Sequence, residues 1–225
     1  PSPNDTVIFD SLSFIAVNDT VYADSAILYC YTMKWEQVQQ HPIFYNQSNA
    51  TNTILKIYGS LQLDTGMTWQ FSGIVRFNTL NSGQTIRSNG NSFYSVEIAG
   101  DSLGEIQLLD SLQVSRLNFS SGSFLSGGKT IYTSYFFLEN NNRSVIDLDT
   151  STVHVTYLDA VYTPLFFDAD SSTFILPGGI IEAGSLHYGK VIVLSQGEIK
   201  GNNQFDMLIL NSNIVLKSSN TIGTL

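Results

Sequence analysis

Apolar and polar residues alternate along most of this chain in short runs that stop at Gly, Asn, Ser or Asp. "TILKIYGSLQL", "IVRFNTL", "SVEIAG", "EIQLLDSLQV", "TVHVTYL", "KVIVLSQGEI" and "DMLILNSNIVL" show the pattern. They are rich in the β-branched and aromatic residues that suit a pleated surface. A period of two sends successive side chains to opposite faces, so each run predicts a strand with one buried face. Helical periodicity is confined to "MKWEQVQQH", residues 33–41, where Pro42 would close a short helix.

The runs also recur. Segments begin near Ile54, Gly73, Phe93, Leu112, Tyr135, Leu165, Ser185 and Asp206. Most lie roughly twenty residues apart, the length of one coil in a solenoid. The interval from Tyr135 to Pro164 is longer and predicts an excursion. Stacked coil on coil, inward residues form a continuous apolar column while the main chain pairs along the axis at about 4.8 Å per rung. The expected fold is therefore all-β: a single-stranded parallel β-helix, or β-solenoid, of roughly eight rungs over residues 54–225, continuing beyond them. Residues 1–53 fit the repeat less well and are expected to form an irregular N-terminal cap carrying the short helix, since an open solenoid end needs cover against edge pairing. A β-sandwich is the alternative, because it too is built from short, evenly spaced strands. The scarcity of hairpin dipeptides, with "SNGNS" at 88–92 the best case, favours the solenoid.

Composition narrows the setting. Hydrophobic residues make up 43% and charged residues only 13%, the latter about half the usual share. Hydroxyls and amides cover the surface instead, a habit of secreted β-proteins. With a formal net charge of −9 and ten Lys and Arg, a phosphate backbone or an anionic bilayer surface is repelled, so neither nucleic acid nor membrane is an expected partner. No apolar run reaches the length of a membrane-spanning helix. Cys30 is the only cysteine, which excludes an intrachain disulfide. The chain opens at "PSPNDT" without a methionine or an export signal and is expected to be a segment of something longer.

A family resemblance runs through nearly the whole length. "TVIFDSLSFIAVNDTVYADSAILYCYTMKWEQVQQHPIF" leads to "LKIYGSLQLDTGMTWQFSGIVRFNTL", then to "GGKTI" and "RSVIDLDTSTVHVT". In order and spacing these resemble modules of the very large adhesin-like surface proteins of Bacteroidetes-type bacteria, exported by the type IX secretion route. The resemblance implies an extracellular, cell-surface location and a β-helical stalk serving adhesion, gliding or an extracellular filament. It also implies other segments of the same long chain as partners, together with surface glycans or neighbouring rods. Asp followed by Ser or Thr and an apolar residue marks Thr6, Ser11, Thr20, Ser25, Ser102 and Ser111. This is similar to the acceptor motif for O-linked glycans on exported proteins of those bacteria; the same dipeptides are ordinary turn formers. Asn-x-Ser/Thr triplets at Asn4, Asn18, Asn46, Asn49, Asn118 and Asn142 carry little weight in so Asn-rich a chain.

Catalytic and metal chemistry find weak footholds. Asp147 and Asp149, like Asp168 and Asp170, alternate on a strand as paired glycosidase carboxylates would, but Asp before Ser or Thr is a turn device. Arg76, Arg87, Arg116 and Arg143 are scattered rather than clustered as a lyase would need, and His41, His154 and His187 have no second ligand at metal spacing. No catalytic residue, metal or cofactor is expected. Carbohydrate binding is the better alternative to a purely structural role. Trp69, Tyr94, Tyr132, Tyr135, Tyr157 and Tyr188 are the aromatics that could stack on sugar rings, or else fill the core. Cys30, Met33 and Trp35, in "CYTMKW", have no adjacent base and are expected to pack the cap.

Overall fold

The computed structural model describes residues 1–46, 51–139, 143–162, 164 and 166–225. Among them, 24 strands and no helix are found, and every strand pairing is parallel. The chain winds as a β-solenoid of about nine turns, one more than the sequence spacing suggested.

Each coil passes through up to three sheet faces. The first face stacks β3 (Ile27–Cys30), β6 (Ile54–Ile57), β9 (Ile74–Phe77) and β11 (Ser92–Ala99). It continues through β13 (Leu112–Leu125), β14 (Ile131–Leu138), β16 (Thr152–Ala160), β19 (Gly179–Ala183), β21 (Gly197–Lys200) and β23 (Ile214–Leu216). The second face holds β1 (Thr6–Phe9), β4 (Thr32–Trp35), β7 (Leu61–Gln62), β10 (Gln84–Arg87) and β12 (Glu105–Leu108). The end of β13 follows, then β15 (Ser144–Asp147) and β17 (Phe166–Asp168). On the third face, β2 (Thr20–Ala23), β5 (Ile43–Asn46) and β8 (Thr68–Gln70) form a separate sheet. Further along, the first halves of β11, β13, β14 and β16 pair with one another and then with β18 (Thr173–Leu176). β20 (His187–Val193), β22 (Gln204–Leu210) and β24 (Thr221–Thr224) complete the stack.

Register explains the core. Leu28, Leu55, Val75, Val96, Leu117, Phe136, Leu158, Ile181, Ile199 and Leu216 stand one above another on the first face. All between Leu55 and Ile199 are buried, whereas Leu28 is half-buried and Leu216 exposed at the two ends. Burying each such side chain contributes about 1.5–3 kcal/mol, so the column is a main source of cohesion. The step along it varies, from 27 residues between Leu28 and Leu55 to 17 between Ile199 and Leu216, with the coils between them spanning 18 to 23.

Two expectations from sequence are corrected. Residues 33–41 are not helical: Thr32–Trp35 is a strand held between β1 and β7. Met33 and Trp35 point inward, and Gln37, Gln40 and His41 take positive φ, which breaks a right-handed helix. In the described part of the stretch from Tyr135 to Pro164 the chain completes a further coil rather than leaving the stack, since Tyr135 pairs with Tyr157 one coil on, and this coil is the extra rung. The expected segment start at Leu165 lies outside the described residues. Across the 53/54 boundary the ladders are continuous, β3 pairing with β6, β4 with β7 and β5 with β8.

Cys30, Met33 and Trp35 are all buried in the core. Cys30 closes β3 on the first face, the chain turns at Tyr31, and Met33 and Trp35 enter from the second. Trp35 packs against Phe9 at 4.1 Å between ring centroids, with Phe14 and Phe44 around it. Burial pushes the Cys30 thiol up to about 12, the opposite of what a reactive cysteine requires.

Candidate functional site

Along one edge of the solenoid the strands bend. In β13 Ser115 and Arg116 are both exposed while Val114 and Leu117 are both buried, so alternation slips by one residue there. Ser134 and Tyr135 repeat the slip in β14, where the Thr133 hydroxyl donates to the Tyr135 carbonyl at 2.8 Å and braces the bend. The bends lie in register, because Val114, Thr133 and Val155 are neighbours on one side and Arg116, Tyr135 and Tyr157 on the other. Gly179 follows at the next rung with φ of 141°, and a Cβ there would fall 1.8 Å from the Thr156 carbonyl oxygen. Only glycine lets β19 pass that close.

The stacked bends border a shallow, open groove of about 340 Å³. Its floor is Phe93, Val114, Thr133 and Val155, all buried. One wall carries Gln113, Tyr132 and His154, the other Ser115, Ser134 and Thr156, with Ser92 and Pro177 also lining the groove. Tyr132 and His154 lie nearly parallel, 4.5 Å between centroids at 16°. Ser115, Ser134 and Thr156 are exposed, and none of their hydroxyls is engaged by another described residue. The groove lining includes no carboxylate, lysine or arginine.

Across the bend, on the first face, a second aromatic group stands outward. Arg116 sits over the Tyr135 ring at 5.4 Å, Tyr135 stacks on Phe137 at 5.7 Å, and Tyr157 lies 6.1 Å from both. The Tyr157 hydroxyl donates to Glu182 at 3.5 Å. Burial, then the charges of Asp159 and Glu182, raise the Tyr157 phenol above its ordinary value. Beyond Phe137 a second hollow of about 360 Å³ is lined by Asn118, Glu139, Asp159 and Tyr162. Burial and the nearby Glu97 raise the Glu139 carboxyl, while Glu97 itself is tied to Arg76 at 2.7 Å.

The six aromatics singled out from sequence therefore separate. Tyr132, 44% exposed, lines the groove. Tyr94 is half-buried between Phe93 and Ser95 and does not line the groove. Tyr135 (40% exposed) and Tyr157 stand on the adjoining face. Trp69 (8% exposed) and Tyr188 (0%) are core residues, so neither offers a face to a sugar. Sequence reasoning passed over Gln113, Ser115, Ser134 and Thr156, and weighed His154 only as a metal ligand, because their meeting depends on coil lengths.

The remaining candidates fall elsewhere. Asp147 and Asp168 are aligned on neighbouring strands, and each accepts the backbone N–H two residues on, from Asp149 and Asp170. They are turn formers repeated in successive coils. Asp10 and Asp101 do the same toward Leu12 and Leu103. Thr6, Ser25, Ser102 and Ser111 are exposed and Ser11 and Thr20 half-buried, spread over separate turns and strands. Asn46 is buried, unlike an N-glycan acceptor; Asn49 and Asn142 lie outside the described residues. His187 bridges Asp170 at 2.6 Å and Asp206 at 2.8 Å. Among the described residues no group of three or more His, Cys, Asp or Glu is arranged to hold a metal ion.

No protein-family model, curated protein or solved structure matches this chain.

Proposed function

We propose that this chain is a stiff spacer segment of a larger cell-surface protein, serving adhesion or an extracellular filament by mechanical rather than chemical work. The observation that carries the reading is the unbroken inward column from Leu28 to Leu216, left half-open at both ends. Val7, Phe9, Phe14 and Val21 at one end, and Leu210, Ile214 and Ile222 at the other, pack on the core while staying partly exposed. The end strands β1, β2, β3, β23 and β24 each pair on one side only among the described residues. Such ends suit the stacking of further coils. The low charge and hydroxyl-rich surface agree with an extracellular setting, and the family resemblance points the same way.

An antibody raised against residues 1–225 tests this on intact cells of the source bacterium. Surface labelling, with loss of adhesion when the segment is deleted in frame from its parent chain, is the expected result. Labelling confined to lysed cells would overturn it.

A further inference from the structure

We infer that the bend groove between the Tyr132–His154 wall and the Ser115–Ser134–Thr156 wall binds an uncharged, linear polysaccharide lying along the solenoid axis. The inference is independent of the spacer reading. Successive rungs repeat at about 4.8 Å, so the groove presents one hydroxyl and one larger side chain per rung, a periodic surface for a periodic polymer. The two walls differ as the two characters of a sugar ring differ. Ser115, Ser134 and Thr156 offer unengaged hydroxyls to ring hydroxyls, and the exposed Tyr132 ring and Pro177 offer apolar surface to C–H bonds.

Charge selects among polymers. The groove lining holds no formal charge, and the chain as a whole carries −9, so a polyuronate or a nucleic acid is repelled on approach. Across the bend, Arg116 lies over the Tyr135 ring. An extended peptide is a poorer occupant, because the groove floor is mid-sheet and its main-chain groups are already paired in the ladders.

The test is calorimetric titration of the intact chain with cellohexaose, xylohexaose and mannohexaose, and with hexagalacturonate as the acidic comparison. Tyr132→Ala removes one wall and Ser134→Trp fills the groove; both positions are exposed, and thermal melts check that the fold is kept. Leu103→Ala, at an exposed turn residue away from the groove, is the control. We expect saturable binding of at least one neutral hexasaccharide, weakened at least about tenfold in both groove variants and unchanged in the control. Binding of none of the neutral sugars, binding in the groove variants equal to that of the unmodified chain, or preference for the uronate would overturn the proposal. So would self-association through this face, detected by light scattering and lost in Tyr132→Ala without any sugar binding.

Discussion

Tyr132 lies flat on His154 one coil away, the two rings 4.5 Å apart at 16° on neighbouring parallel strands. Their register, and not their separation in sequence, makes them a pair. Directly opposed aromatic side chains on a sheet couple by about 0.5–1 kcal/mol. A double-mutant cycle of Tyr132→Ala and His154→Ala, read by urea unfolding, should return a coupling of that size. A coupling indistinguishable from zero would mean that the stack is contact without cohesion.

A second histidine predicts a pH dependence. The hydrogen bond to Asp206, supported by the charge of Asp170, raises His187 above its ordinary 6.5. Because the folded form holds the proton more tightly, the stabilisation is fully present below pH 6.5 and is lost as pH rises through the raised folded value. Both aspartates are more than half exposed, so screening limits the effect to about 1 kcal/mol or less. Melting temperature should therefore fall gently as pH rises from 6.5 to 8.5, and His187→Gln should flatten that slope. An equal slope in the variant would rule out this clamp as its cause.

Tyr188 carries a different liability. It is fully buried among Phe167, Phe174 and Phe205, and its hydroxyl finds no hydrogen-bond partner among the described residues. Burial also drives its ionisation well above the ordinary range. Tyr188→Phe removes the stranded hydroxyl without changing the ring, and should raise stability by about 1 kcal/mol in chemical denaturation. A loss of stability would show that the hydroxyl is satisfied.

Cys30 should be inert. Its burial and raised pKa leave almost no thiolate at neutral pH. A disulfide reagent such as DTNB should leave the native protein unlabelled over hours and label one thiol per chain in guanidinium. Rapid labelling of the native form would contradict the packing described here.

Strand parity explains what could be read from the sequence. Alternation and the twenty-residue step were enough for a β-solenoid; in "MTWQF" alternation put Met67, Trp69 and Phe71 on one face without saying which way that face turns, so Trp69, offered as a sugar-stacking aromatic, proved to be core. Tyr188 was not, because Tyr188 and Gly189 are both buried in succession, reversing the parity that Val191 and Val193 suggest. Ser115 and Arg116 hide the groove by the converse slip, two outward residues in a row. Coil lengths varying between 17 and 27 residues kept the register out of reach, so no count along the chain could bring Ser115, Ser134 and Thr156 together. The helix expected over 33–41 came from a few residues whose apolar spacing fits a strand followed by a turn equally well.

The short terminal coil has a consequence for extensibility. About nine turns at about 4.8 Å each make a body of about 43 Å, yet 225 residues hold about 770 Å of contour at about 3.4 Å per residue. Peeling the terminal coil of 17 residues shortens the body by one rung and releases about 58 Å of chain. Pulled from that end, the molecule would lengthen stepwise, roughly twelvefold per rung, before any attachment beyond it bears the full load.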